Sequence, residues 1–389
     1  MKRKKPKPRR RPAGELVTEA LALQERGALA EAEQIYRELL HHEPDHHAAL
    51  ALLAMILIER GDAAAAVALI NRAIALAPEV AWYHLSLGHA CAAAGLDERA
   101  VEAMQASARL DPENPIPRYD LARHHVRHGR TGEALAALRQ VLERDPSHDR
   151  ARFLVASLSG GHVDTAPADY VTELFDSYAP RFEAHLVDVL DYKVPAQLAE
   201  LVAEAGDLPR RAWRVIDVGC GSGLGGAAFR DFAHHLIGSD LSPRMIELAR
   251  ARGVYDELRV EDLLATLRRE VASVDLVVAA DVFIYVGALD DALGAAASAL
   301  RAGGRLAFST ERCDGDGYRL LPSSRYAHGD GYIRGLAHRH GFAIQKARDT
   351  TIRIEQAAPV SGTLYLLANQ GRIDREPIEL DRATRRAVG

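Results

Sequence analysis

At 389 residues the chain is long enough for two or three domains of roughly 100–200 residues each. Apolar residues make up 48% and charged residues 26%, which excludes collagen-like, largely disordered and membrane-spanning compositions. The net charge of -5 is uneven: eight of the first twelve residues are Lys or Arg, and without them residues 13–389 stand at -13, an acidic body poorly suited to gathering polyanions.

The basic residues Lys2, Arg3, Lys4, Lys5, Lys7, Arg9, Arg10 and Arg11 form an arm over 1–12 that reads as solvated and disordered. Its three prolines argue against a transit helix, and nucleic acid is not expected as a partner unless through this arm. No apolar h-region follows it, and no later run approaches the ~20 apolar residues needed to cross a bilayer. Cys91, Cys220 and Cys313 are too few and too scattered for a disulfide framework or a zinc site. The expectation is a cytoplasmic protein with no metal.

Over residues 13–158 the sequence repeats every 34 residues. Pro44, Pro78, Pro112 and Pro146 mark the step, and Gly27, Gly61, Gly95 and Gly129 keep it, as do Ala32, Ala66, Ala100 and Ala134. In a helical hairpin the glycine frees the turn, the alanine lets the two backbones approach, and the proline stops the second helix. These columns resemble a tetratricopeptide array of four repeats, which implies an all-α solenoid whose concave face takes a protein partner or peptide. Ala66, Leu69, Ile70, Ala73 and Ile74 fall at helical spacing and read as core. Residues 148–158 predict a capping helix.

Gly160 and Gly161 break that pattern, and residues 159–212 read as a linker and helical lid, with a helix over Tyr170–Leu190. From 213 to 370, short apolar runs alternate with helical ones, the pattern of an α/β, doubly wound Rossmann-like domain on a seven-stranded, mostly parallel sheet. Strands are predicted at 213–218, 235–240, 257–260, 274–279, 304–309, 342–348 and 363–368, with a tight turn at Arg301–Arg305. Residues 371–389 read as a polar tail.

The chemistry concentrates in Val215-Ile216-Asp217-Val218-Gly219-Cys220-Gly221-Ser222-Gly223, an apolar strand running into glycines that let a ligand approach the backbone. Gly221, Gly223 and Gly226 also satisfy a dinucleotide fingerprint, but Asp217 just before the loop would repel a pyrophosphate and suits a cationic ligand. Three further acids follow strand-like runs: Asp240 in Gly238-Ser239-Asp240-Leu241-Ser242-Pro243-Arg244-Met245, Asp262, and Asp281. Open α/β sheets bind ligands at such C-terminal strand ends. Asp240 is placed to grip two ribose hydroxyls.

Together with Leu300-Arg301-Ala302-Gly303-Gly304-Arg305, these motifs resemble the class I S-adenosylmethionine-dependent methyltransferases over residues 213–310. The resemblance implies the cofactor S-adenosyl-L-methionine, with Asp217, Gly219, Cys220, Gly221 and Gly223 facing its methionine part, Asp240 holding its ribose, and Leu241 among the cofactor-binding residues. It further implies that Asp262 and Leu263 read the adenine edge and that Asp281 faces the transfer pocket. With the repeats, the chain resembles bacterial repeat-bearing methyltransferases, and Phe175–Phe182 and Arg325-Tyr326-Ala327-His328 are similar to that group. Each residue also has a plainer reading: Asp240, Asp262 and Asp281 as helix caps or surface acids, Tyr178 and Phe182 as core, Cys220 as a packing residue.

Methyl transfer from a sulfonium needs alignment above all, and a base where the acceptor is a phenol or amine. Asp281, Arg325, Tyr326 and His328 are the polar candidates for that end of the site, with Tyr285 and Tyr318 beside them, and Tyr178 is a candidate cofactor lid. The expected activity is methyl transfer to a small-molecule or protein acceptor. The rival reading is a repeat-based adaptor whose methyltransferase-like domain only senses the cofactor.

Overall fold

In a computed structural model of the chain, the structure describes residues 11–179, 182, 192–206, 211–355 and 358–371. Most of the basic arm, the far end of the helix expected over Tyr170–Leu190 and the tail from 372 lie outside them. The chain divides into two compact units, Met1–Val155 and Ala156–Gly389.

The first unit follows the 34-residue columns. Its helices pair as α1 (Ala13–Glu25) with α2 (Leu29–His42), α3 (His47–Glu59) with α4 (Ala63–Leu76), α5 (Ala81–Ala93) with α6 (Asp97–Leu110), and α7 (Ile116–Arg127) with α8 (Thr131–Arg144). Gly27, Gly61, Gly95 and Gly129 sit in the four turns with φ of 76°, 84°, 72° and 66°, a left-handed conformation that penalises any Cβ. Each column proline stands two residues beyond the second helix of its pair, where a missing N–H and a fixed φ end the helix. Ala32, Ala66, Ala100 and Ala134 are fully buried, the close-approach points between paired helices. Local caps sharpen the starts: the Asp62 carboxylate accepts from Ala65 N at 3.2 Å, and His46 Nδ1 accepts from Ala49 N at 3.2 Å. The unit boundary falls within α9 (Asp149–Ser159), which occupies the stretch expected to cap the array.

In the second unit, α10 (Ala168–Tyr178) and α11 (Val194–Ala203) precede a nine-stranded sheet. In chain order its elements are β1 (Trp213–Val218), α12 (Leu224–Phe229), β2 (Ala233–Asp240), α13 (Pro243–Arg252), β3 (Glu257–Val260), α14 (Leu263–Arg268) and β4 (Val274–Ala279). A short 3-10 turn at Phe283–Tyr285 leads to α15 (Asp290–Ala299), β5 (Leu300–Arg312), β6 (Tyr318–Leu320), β7 (Tyr326–His328), α16 (Asp330–Arg339), β8 (Phe342–Glu355) and β9 (Ala358–Asn369). Strands run β3-β2-β1-β4-β5 in parallel, β9 lies antiparallel against β5, and β8 antiparallel against β9. Chain order reverses between β1 and β4, so the crevice of this doubly wound sheet opens over their C-terminal ends.

Side chains alternate across the sheet with the two-residue period of a strand. Ile216, Ile237, Val277, Leu306 and Phe308 face one core, with α15 and α16 supplying Leu293, Ile333 and Leu336. Val215, Leu236, Leu276, Val278 and Ala307 face the other, covered by Leu198, Leu201 and Val202 of α11 and Phe229 of α12. Burying one such Leu or Val side chain contributes about 1.5–3 kcal/mol, so these faces fix the register.

Three expectations are corrected. Two strands beyond the expected seven are present: β6 and β7 are three residues each, too short for alternation to show, and they form a hairpin joined to Glu311 and Arg312 of β5. The turn at Arg301–Arg305 is instead a bulge within β5: Val274 pairs with Leu300 but Leu276 with Arg305, and Gly303 takes φ 76°. Finally, α11 is a core layer of the sheet rather than part of a linker and lid, because its apolar stripe has a sheet face to bury. Among the described residues no helix is long and apolar enough to cross a membrane.

The alanine column carries a stability prediction. Ala66→Leu should overfill the α3–α4 contact and lower stability by about 1–3 kcal/mol, read as an earlier urea midpoint of the helical signal.

Candidate active site at the sheet switch point

The loop leaving β1 is built from main chain. Gly219, Gly221 and Gly223 take left-handed φ of 62°, 52° and 92°. A Cβ on Gly219 would stand 2.5 Å from Val282 Cγ2, so the loop closes against the segment leaving β4, on the other side of the crevice. A Cβ on Gly221 would stand 3.7 Å from the Phe182 ring, which lies over the loop.

Asp240, at the end of β2, ties the loop down. Its Oδ2 accepts from Gly221 N at 2.9 Å and its Oδ1 from Ser242 N at 2.8 Å. Burial pushes its carboxyl up, and these backbone N–H groups pull against that shift. Beside it, Asp176 of α10 accepts from the Ser242 hydroxyl at 2.5 Å and lies 3.4 Å from Arg244 N, pinning α10 to the start of α13. Leu241 between them is half-buried.

Asp217 is 1% exposed and lies beneath the loop. Its Oδ2 accepts from the Tyr255 hydroxyl at 2.7 Å, and the same phenol oxygen accepts from Gly226 N at 2.9 Å. A Cβ added at Gly225 would meet Asp217 Oδ2 at 2.5 Å, so the glycine lets helix α12 begin against the carboxylate. Burial pushes Asp217 up to about 7. Tyr255 carried no sequence signal, because it stands alone in the link between α13 and β3.

Across the crevice, Asp281 follows β4 with φ 58°, unusual for a residue with a side chain. Its main-chain N donates to Ser309 Oγ at 2.8 Å, the Ser309 hydroxyl donates back to its Oδ1 at 3.1 Å, and Arg353 Nη1 lies 3.3 Å from its Oδ2. Burial pushes Asp281 up to about 6, with Arg353 opposing. Arg353 is 5% exposed and also pairs with Glu311 and, at 3.3 Å, with Glu355. Tyr192 stands close to both acids: after burial, the charges of Asp281 and Asp217 hold its phenol far above the ordinary range. An aromatic wall completes this end, with Phe175 edge-on to Phe182 at 6.0 Å and to Tyr285 at 5.5 Å, and Tyr178 edge-on to Phe182 at 5.3 Å.

The structure therefore gathers Asp217, Asp240, Asp281, the glycine loop and Tyr178 around one crevice, and treats the other sequence candidates differently. Asp262 is exposed and caps α14, its Oδ1 accepting from Leu264 N at 2.8 Å and Ala265 N at 3.0 Å, while Leu263 packs on the core. The Cys220 thiol packs against Ile246 and Ala249, and burial holds it far above the range of a reactive thiolate. Arg325, a polar candidate for the acceptor end of the site, is instead paired with Glu311 and Glu355. Tyr326 is fully buried and donates to the Val163 carbonyl at 2.9 Å. His328 is 1% exposed, with Nε2 donating to the Val286 and Gly287 carbonyls at 3.0 and 3.2 Å, and burial pushes it down to about 4. These three residues brace the β6–β7 hairpin, because strand pairing already claims that segment. Tyr318 likewise donates to Asp164. Pro180 and Arg181 of the Phe175–Phe182 motif lie outside the described residues.

The buried acid beneath the loop has a measurable signature. Between about pH 4 and 7 the folded chain keeps the Asp217 proton that the unfolded chain has released, so this group makes stability fall as pH rises through that window. Relative to the parent, Asp217→Asn should remove that downward slope in urea unfolding measured across the same range.

A family model described as "Methyltransferase domain" matches residues 216–308, and one described as "Tetratricopeptide repeat" matches 23–87 and 92–158. The ubiquinone biosynthesis O-methyltransferase of Xylella fastidiosa strain 9a5c is 34% identical over 110 residues, 26% of this chain. The chain spans only 44% of that relative's length. Among solved structures, a Burkholderia thailandensis 1,6-didemethyltoxoflavin-N1-methyltransferase is 17% identical, covering 54% of this chain and 92% of its own, with a TM-score of 0.42. MamA of Desulfovibrio magneticus RS-1 is 26% identical over 34% of this chain and 76% of its own, with a TM-score of 0.33. The chain therefore carries tetratricopeptide repeats and a methyltransferase domain.

Proposed function

We propose that the second unit transfers a methyl group from S-adenosylmethionine to an acceptor, and that the repeats bring a protein partner to the enzyme. The carrying observation is the bare glycine loop latched to Asp240 at the switch point, with Asp281 facing it across the crevice.

The residues present fit that donor. Gly219, Gly221 and Gly223 leave main chain open to a ligand, Asp240 and Asp281 supply the negative surroundings that a sulfonium prefers, and the aromatic wall adds cation-tolerant rings. Asp240 uses two acceptor directions on Gly221 and Ser242, and a carboxylate has about four, so the ribose hydroxyls would take the remainder. When bound, S-adenosylmethionine supplies an electrophilic methyl group. The chain supplies placement: the loop and Asp240 set the donor's position, Phe182 and Phe175 exclude water, and Asp281 is the group placed to take a proton from a hydroxyl or amine acceptor. With its carboxyl held near about 6, Asp281 is mostly ionised at neutral pH and ready for that role.

In Asp240→Ala the loss of charge-assisted hydrogen bonds should weaken S-adenosylmethionine binding roughly 10–150-fold, equivalent to about 1.5–3 kcal/mol. Calorimetry on the full chain measures this, and unchanged affinity removes the ribose assignment. Label transferred from tritiated S-adenosylmethionine into cell extract, then sorted by size, separates protein from small-molecule acceptors. Cofactor binding with no transfer to any fraction supports the sensing adaptor instead.

A further inference from the structure

We propose that the repeat unit holds a divalent transition-metal ion of the zinc class between Asp97, His124 and His128, a site independent of the methyltransferase crevice. His124 and His128 are four residues apart on one face of α7, with the latter at its C-cap, and Asp97 opens the neighbouring helix α6. Their ligand atoms lie within 4.8 Å of one another. His128 Nε2 is 3.1 Å from Asp97 Oδ2, and His124 Nε2 is 3.9 Å from Asp97 Oδ1. Zinc bound tetrahedrally at about 2.0–2.2 Å from each ligand holds ligand atoms about 3.4 Å apart, so the present spacing needs only small side-chain adjustments.

Two details point to a ligand rather than to a chance cluster. His124 is 2% exposed, and its Nε2, turned toward Asp97, has no hydrogen-bond partner among the described residues. A buried polar atom in that condition costs free energy unless something else satisfies it. His128 Nδ1 donates to the His124 carbonyl at 2.8 Å, so Nε2, 3.1 Å from Asp97 Oδ2, is the ring atom left to take a metal ion in place of any proton it carries. That is the outer-shell bond by which a metal-ligating histidine is usually oriented. The nearby charge of Arg130 acts on His124 and opposes a cation there.

The 34-residue columns show that the trio is particular to this junction. Asp97 stands where the other repeats have Leu29, Ala63 and Thr131; His124 where they have Ala22, Ile56 and Ala90; His128 where they have Arg26, Arg60 and Ala94. Two imidazoles and one carboxylate suit zinc and its neighbours in the first transition row better than calcium or magnesium, which take oxygen ligands. His128 is partly exposed, which leaves a side open for water as a fourth ligand. The ion would tie the second helix of the third repeat to the first helix of the fourth.

The test is a calorimetric titration of the full chain, stripped by chelator, with zinc chloride. The expected result is one zinc per chain, bound at least ~10-fold more weakly in both His128→Ala and Asp97→Asn, since even outer-shell changes cost about 10–100-fold. Both side chains are more than one-third exposed, so neither variant threatens the fold. No zinc bound by the parent, or a loss under ~10-fold in either variant, overturns the site.

Discussion

The second unit depends on keeping a buried carboxylate under a glycine-rich turn. Asp217 stands near the end of β1, buried beneath the glycine-rich loop. The Tyr255 phenol donates to it and at the same time accepts from Gly226 N, so strand β1 and helix α12 meet at one oxygen. An unpaired charge there would cost several kcal/mol. Asp240 then fixes the outer edge of the same loop through Gly221 N. One acid thus ties the loop at its rim, while the other lies buried beneath it.

Much of this was legible in the sequence. The glycine, alanine and proline columns specify hairpins because each residue type has one conformational use at its position, and all three uses agree every 34 residues. The parallel strands were legible because both sheet faces are buried, so their apolar runs are continuous. The acids at the ends of β1, β2 and β4 were legible because strand ends are where a doubly wound sheet exposes chemistry.

What the sequence hid depends on contacts distant along the chain. Tyr255 reaches Asp217 across 38 residues, and Arg353 reaches Asp281 across 72, and neither belongs to a local pattern. Arg325, Tyr326 and His328 were misjudged for the converse reason. Polar residues in an apparent loop look available, but a short hairpin buried them and its neighbours consumed their donors. Asp176 lay within a motif read for its aromatic residues, while its carboxylate is what docks α10 onto α13.

The left-handed backbone at Asp281 restricts what can replace it. A side chain at φ 58° carries steric cost that glycine escapes and that asparagine and aspartate tolerate best. Exchange for glutamate, otherwise the nearest chemical equivalent, therefore meets a conformational barrier before any question of charge or reach arises. Diversity at this position is narrowed to a few small residues, only one of which is an acid.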